Sequence, residues 1–482
     1  MADNEKNVHL HIVMFPWLAF GHMIPFLELS KYFARRGHRI SYVSTPRNLQ
    51  RLPKIPSNLS HLINFVSLPC PRIVGDHTLL PPSAEATSDV TYDKVQYLKK
   101  EFDGLEPSLA LFLETSTPDW IIHDYPPHWL SPIAAKLDVP CAYYCVTNAS
   151  GLAFLNPPSV LMGNDDERSR STPEDFTVPP KWVPFPSNIV FRHHEAKRIF
   201  DHVDETTASD GVSDMYRIGF VLSYCQIILL RTCTEFEGAW LNLLQEIHKK
   251  PVFPVGLLPP LSNFEDRDKE DGSGEWVEIK EWLDKQKEMS VVYVAFGSEV
   301  TLNRKQTYEL ARGLELSELP FFWSIRRPHD STQNDPTGLP DGFEDRVKGR
   351  SFISTGWVPQ LRILGHPSVG CFVNSCGWGS ILEGLAKEKA FVVLPLMYEQ
   401  GLTARWVVEK KFGVEIERDE QDGSFTRDSV AESLRIVMVE EEGESLRTKA
   451  KEMKKIFDDM GSQNKYIDDI ERYMIDHKTL AS

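Results

Sequence analysis

Apolar positions along the chain fall into two copies of one pattern. Residues 9 to 15, HLHIVMF, form a short run of strand type, and a loop containing Pro16 and Gly21 leads from it to His22. Ile24 to Arg36 then carries apolar residues at helical spacing until Gly37 stops it. Arg39 to Ser44, RISYVS, returns to the strand pattern and completes a βαβ unit. The same order recurs far downstream. Ser290 to Phe296 is β-branched and apolar, Gly297-Ser298 turns, residues 304 to 316 read as a helix, and Pro320 to Ile325 reads as a strand. Between the copies lies LPPLSNFEDRDKEDGSGE, rich in proline, glycine and charge, which reads as an exposed connector. The last periodic stretch, MGSQNKYIDDIERYMIDHK, reads as an amphipathic helix.

Length agrees with two repeats of an α/β arrangement. At 482 residues the chain exceeds the ~250 to 300 at which single cores stop growing, so two Rossmann-like domains are expected. The expected division is 1–257, a linker at 258–275, a second domain at 276–458, and a C-terminal helix within 459–482 that packs back on the first domain. Hydrophobic content of 41% and charged content of 25% are those of a globular protein. A net charge of −16 argues against a nucleic-acid or anionic-membrane surface, so any anionic ligand must be met by local dipoles and donors. No apolar stretch approaches the ~18 residues of a membrane span, and Asp3 and Glu5 stand where a signal peptide carries basic residues. Seven scattered cysteines without C-x-x-C spacing read as reduced thiols, and a cytoplasmic, monomeric protein is expected.

Candidate chemistry concentrates in VNSCGWGSILEG, residues 373 to 384. A strand at 369 to 373, a glycine-bearing turn and a helix opening at Ser380 would expose backbone N–H groups and a positive dipole end, where phosphate binds without lysine. On these residues alone the plain alternative stands equal: Ser380 and Glu383 as a capping box.

The flanking residues separate the two. Trp357 to Gln400, WVPQLRILGHPSVGCFVNSCGWGSILEGLAKEKAFVVLPLMYEQ, resembles the donor-binding signature of plant family 1 UDP-dependent glycosyltransferases, a specific motif of 44 residues. The likeness extends over nearly the whole chain through FPWLAFGH at 15 to 22, DWIIHDYPPHW at 119 to 129 and WLDKQKEMSVVYVAFGSE at 282 to 299. FPWLAFGH, PRNLQRLP, AEATSDV and PPKWVPFPS resemble most the subgroup that adds a sugar to a sugar already attached to a terpenoid or flavonoid. The resemblance implies a GT-B-type fold, two Rossmann-like domains facing across a cleft, with the acceptor on the first and the UDP-sugar on the second. It implies that Trp357 stacks on uracil beside the main chain of Val358, and that Gln360 and Glu383 hold ribose hydroxyls. Ser298, Ser380 and the turn at Gly377 would meet the diphosphate; Trp378, Glu399 and Gln400 would line the sugar. Two positions depart from the pattern. Ser375 stands where the family usually has histidine and Gly379 where it has asparagine, which weakens expected charge stabilisation at the donor.

His22, taken bare, is a structural residue more often than a catalytic one. Its place in FPWLAFGH matches the family's catalytic histidine, and Asp124, in an apolar-flanked run, is the carboxylate to orient it. The expected reaction is an inverting, metal-independent and cofactor-free transfer from a UDP-sugar, with UDP-glucose favoured, to a hydroxyl of a small-molecule glycoside. Three alternatives stay open: UDP-rhamnose as donor, a weakly active UDP-sugar-binding protein, and a hydrolase using His22 and Asp124 with an unidentified serine. Asp266-Arg267-Asp268 has the spacing of a cation site but lies in the charged connector and is read as solvated. His193-His194 lacks further ligands at zinc spacing. Neither a G-x-S-x-G elbow nor a Walker loop is present. Trp17, Phe20, Trp129 and Trp182 are candidates to meet an apolar acceptor, with plain packing as the alternative.

Overall fold

The computed structural model describes residues 8–72, 80–164, 170–207, 211–258, 274–326 and 338–478, the side chains of 202–207 and 274–275 excepted. These divide into two compact units, one within Met1–Arg170, Asp201–Leu261 and Asp459–Ser482, the other within Ser171–Phe200 and Ser262–Asp458. The first unit therefore stops short of the expected 1–257 as a continuous piece, because residues 171–200 pack with the second. Among the ties of this stretch to that unit are ion pairs to partners more than 200 residues away, such as Arg192 with Glu415, beside the buried Ile189, Phe191 and Ala196. Most of the expected linker, with Asp266-Arg267-Asp268, lies outside the described residues.

The first unit is built on a seven-stranded parallel sheet: β1 His11–Phe15, β2 Arg39–Ser44, β3 Ile63–Ser67, β4 Trp120–His123, β5 Cys141–Cys145, β6 Ile227–Leu230 and β7 Val252–Pro254, in the order β3-β2-β1-β4-β5-β6-β7. β1 is buried along its whole length. Ile12 and Met14 join one apolar cluster while Val13 and Phe15 join another, so both faces of the strand are covered, as a parallel sheet requires. The strand order reverses between β1 and β4, where Phe15 stands level with His123. In an open α/β sheet, ligands bind outside the carboxyl ends of the strands at such a reversal.

The second unit repeats the design with six parallel strands: β8 Val291–Ala295, β9 Phe321–Ser324, β10 Ser351–Ser354, β11 Val369–Asn374, β12 Ala390–Val393 and β13 Gly413–Glu415, ordered β10-β9-β8-β11-β12-β13. Its reversal lies between β8 and β11. The expected helix at 304 to 316 spans Arg304–Leu316, opened by a reciprocal cap in which Asn303 Oδ1 accepts the Gln306 N–H at 2.9 Å and Gln306 Oε1 accepts the Asn303 N–H at 3.0 Å.

The last helix, Met460–Asp476, belongs to the first unit. Its Ile467, Ile470 and Met474 are fully buried in the cluster that contains Trp120, whose indole Nε1 donates to the Met474 carbonyl at 2.9 Å. All seven cysteines are free and six are buried. Among the described residues no helix is long and apolar enough to cross a membrane.

Candidate active site

His22 and Asp124 meet at the reversal of the first sheet. The helix that follows β1 spans Phe20–Arg35, four residues ahead of the expected Ile24, so His22 lies in its first turn rather than on the loop before it. Ala19 ends the strand–helix turn, its carbonyl accepting the His22 N–H at 2.9 Å and the Met23 N–H at 2.8 Å. Asp124 follows β4 directly. His22 Nδ1 lies 2.5 Å from Asp124 Oδ2, with the imidazole side chain 24% exposed and the carboxylate 2%. Main-chain donors hold the carboxylate in place: the Trp17 N–H at 3.2 Å on Oδ2 and the Tyr125 N–H at 2.7 Å on Oδ1. A proton on Nδ1 shared with Asp124 makes Nε2 the basic nitrogen of the ring. The buried carboxylate then stabilises the imidazolium that proton uptake creates.

A second histidine stands beside this pair without competing for it. His123 is buried, its Nδ1 lies 2.8 Å from the main-chain oxygen of Asp124, and burial pushes its pKa down to about 4, so it stays neutral. Two of the expected acceptor-contacting aromatics are core residues. Trp17 packs edge-on to Phe102 with centroids 5.2 Å apart, and Trp129 is anchored by its Nε1 to Asp103 at 2.8 Å. Phe20 is covered by the Arg51 guanidinium, 4.9 Å from its ring centre.

The second unit gathers its candidates on the loops and helices that follow β8, β10, β11 and β12. Gly297, at φ +77°, turns the chain sharply after β8 and presents Ser298. After β11, Cys376 adopts φ +67°, with its N–H on Asn374 Oδ1 at 2.8 Å. Buried Ser375 donates its hydroxyl to the Phe296 carbonyl at 3.2 Å, tying the loops on either side of the reversal together.

The helix after this turn spans Trp378–Ala386, with Gly377 as its N-cap and no side-chain cap bond. The expectation that Ser380 opens it is therefore corrected: Ser380 is the third residue, and the Ser380–Glu383 capping box is not formed. A glycine cap leaves no side-chain signal in the sequence. The first intrahelical bond runs from the Ile381 N–H to the Gly377 carbonyl, so Trp378, Gly379 and Ser380 carry the N–H groups of the open turn. A Cβ built on Gly377 meets nothing within 4 Å, so this turn opens onto space. Glu383 instead accepts from Gln360 Nε2 at 2.8 Å, and the Tyr293 hydroxyl supports Gln360 Oε1 at 3.4 Å, which brings together the two residues expected at the ribose.

Trp357 and Trp378 have opposite fates. The Trp357 residue is 77% exposed beside the nearly buried Val358, whereas Trp378 is 3% exposed and packs edge-on to Trp406 at 5.0 Å. Trp378 is thus packed in the core, a placement the motif does not announce. Glu399 occupies the N-cap position of the Gln400–Glu409 helix without a side-chain cap bond. Gln400 Oε1 accepts from the Leu396 and Met397 N–H groups at 3.0 and 2.9 Å, which leaves its amide nitrogen as the donor. The motif carried no sign of Tyr293 or of the Trp17 and Tyr125 main-chain clamps. Among the described residues no group of three His, Cys, Asp or Glu side chains is placed to hold a metal ion.

Known proteins decide what this arrangement belongs to. The family described as UDP-glucoronosyl and UDP-glucosyl transferase matches residues 232–459. UDP-glycosyltransferase 91C1 of Arabidopsis thaliana is 50% identical over 474 residues, 98% of either chain. The chain belongs to the UDP-glycosyltransferases. The transferase is also 41% identical over 468 residues to soyasaponin III rhamnosyltransferase of Glycine max, covering 97% of this chain and 95% of that one. Its fold is that of UGT73P12 from Glycyrrhiza uralensis, solved with glycyrrhetinic acid 3-O-monoglucuronide, with a TM-score of 0.75 over 97% of this chain and 96% of that one at 21% identity. The transferase therefore has the GT-B-type architecture of two α/β units. Its family pairs a UDP-sugar donor with a small-molecule acceptor.

Proposed function

We propose that the protein transfers a sugar, with inversion, from a UDP-sugar to a hydroxyl of a small-molecule glycoside such as a terpenoid or flavonoid glycoside. The observation that carries this reading is the 2.5 Å contact between His22 Nδ1 and the buried Asp124 carboxylate at the reversal of the first sheet. Nε2 of His22 takes the proton of the acceptor hydroxyl as its oxygen attacks the anomeric carbon, and Asp124 stabilises the resulting imidazolium. One displacement with UDP leaving from the opposite face inverts the configuration. The second unit supplies the donor contacts: Trp357 and Val358 to the base, Gln360 and Glu383 to the ribose, Ser298, Gly377, Gly379 and Ser380 to the diphosphate, Glu399 and Gln400 to the sugar. The N-terminal turn at Trp378–Ala386 offers N–H donors and a positive dipole end, which suits a diphosphate without a metal. UDP-glucose is the favoured donor from Glu399-Gln400. The name of the Glycine max relative supports UDP-rhamnose as the second reading, and the ligand of the Glycyrrhiza uralensis structure supports a glycoside as acceptor. Ser375 does not restore the missing histidine, since its hydroxyl is spent on Phe296, which favours a slack donor site as a third reading.

A panel of terpenoid and flavonoid glycosides, each offered UDP-glucose and UDP-rhamnose and followed by released UDP and product mass, tests the proposal. A product heavier by one sugar that requires the nucleotide is expected; turnover without any nucleotide would point to the hydrolase reading instead. Exposed Trp357 gives a further test of the donor half. Trp357→Ala should weaken UDP and uridine alike by the ~1 to 3 kcal/mol typical of a base–aromatic stack, read by calorimetry. Unchanged uridine affinity would place the base elsewhere.

A further inference from the structure

The contacts that hold residues 171–200 in the second unit converge on the sugar end of the proposed donor site. Glu195, 3% exposed, accepts on Oε2 from the Arg192 N–H at 2.9 Å and from Arg405 Nη2 at 2.6 Å. Arg405 also donates to Glu415, which accepts from Arg192 Nε at 3.1 Å, so the four residues close a ring. Arg405 lies on the helix that begins at Gln400. The carboxylate of Glu195 lies against that helix's first turn: a Cβ built on Gly401 would stand 2.4 Å from Oε2 and 2.8 Å from Oε1. Only glycine admits so close an approach. On the other side of the same loop, Arg418 donates to the Pro395 carbonyl. The loop from Pro395 to Gln400 is thus held at both ends by buried charged groups. Buried ion pairs are often matched or exceeded in stability by apolar packing, and their better-attested use is to fix one arrangement among several.

We infer that Glu195 is a positioning residue for the donor sugar. Through Arg405, and through its contact with the backbone at Gly401, it sets where Glu399 and Gln400 stand. The inference rests on the reading that these two residues meet the sugar of the UDP-sugar. It also explains how a segment from the N-terminal half of the sequence acts on the donor site of the second unit. Recognition of the nucleotide, which that reading gives to the β10 and β11 loops, lies outside its reach.

The test separates the two ends of the donor. Affinities of the full-length protein for UDP and for whichever of UDP-glucose and UDP-rhamnose it turns over are measured by calorimetry without acceptor, for wild type, Glu195→Gln and Gly401→Ala. The first variant keeps the volume and removes the charge. The second keeps the charge and displaces it, although alanine is the better helix former. Both are expected to weaken the UDP-sugar by about ten-fold, the loss of one charge-assisted bond, while UDP itself binds as before. UDP-sugar affinity unchanged in both variants would overturn the inference, and so would a parallel loss for UDP, which marks a general structural role. A wild type that does not bind UDP would overturn the donor-site reading itself and this inference with it.

Discussion

Replacing His22 with alanine is expected to lower kcat/KM by about 10²-fold or more, the usual scale of general base catalysis. The loss should fall on kcat, because donor contacts are assigned to the second unit and His22 to the first. Steady-state release of UDP at saturating donor, with KM for the UDP-sugar followed in parallel, measures it. A variant that keeps its kcat would remove His22 from the reaction. Fold should survive the change: the histidine side chain is partly exposed, and the helix around it is held by the buried Met23, Phe26 and Leu27.

Asp124→Asn should be nearly as damaging, with a fall of about 10² to 10⁴-fold in kcat by analogy with the orienting carboxylate of a catalytic triad. Asparagine is nearly isosteric, and its oxygen still accepts from one of the Trp17 and Tyr125 N–H groups that hold the carboxylate. Its NH₂, presented to His22 Nδ1, would force that nitrogen to accept and move the ring proton to Nε2. The base would then be blocked while the fold stands. Because the two residues act as one device, the double variant should be little worse than His22→Ala alone. Additive losses would show that Asp124 works by another route. Asp124→Ala is the poorer experiment, since it strips two main-chain N–H groups of their acceptor at a cost of about 1 to 3 kcal/mol each.

Where the pattern of apolar positions agreed with a complete local signal, the sequence was sufficient. The Arg304–Leu316 helix has its apolar face, and Asn303 with Gln306 writes its cap in side chains. Arg39–Ser44 needed nothing beyond Ile40, Tyr42 and Val43 following the stop at Gly37. Errors arose where backbone or distant residues decide. The helix carrying His22 begins at Phe20 although Gly21 reads as loop, because the Ala19 carbonyl already accepts the His22 and Met23 N–H groups, a main-chain closure that leaves no mark on the side chains. The Trp378 helix begins on a glycine cap that no side chain announces. Trp378 itself could not be told from a ligand-facing ring by sequence; its partner Trp406 is 28 residues further on and depends on how two helices pack. The likeness to the family supplied the site residues, and the fold shows which of them share a loop. Residues 171–200 were least legible of all, because ties such as Arg192 with Glu415 join side chains more than 200 residues apart and leave no local pattern.

The Met460–Asp476 helix completes a core begun elsewhere. Trp120 finds its indole acceptor at Met474, 354 residues further on, and Ile467 and Ile470 fill the same cluster. The first unit is therefore sealed by a segment remote in sequence, so deleting 460–476 would bare an apolar face, strand the indole N–H and leave that unit prone to aggregate.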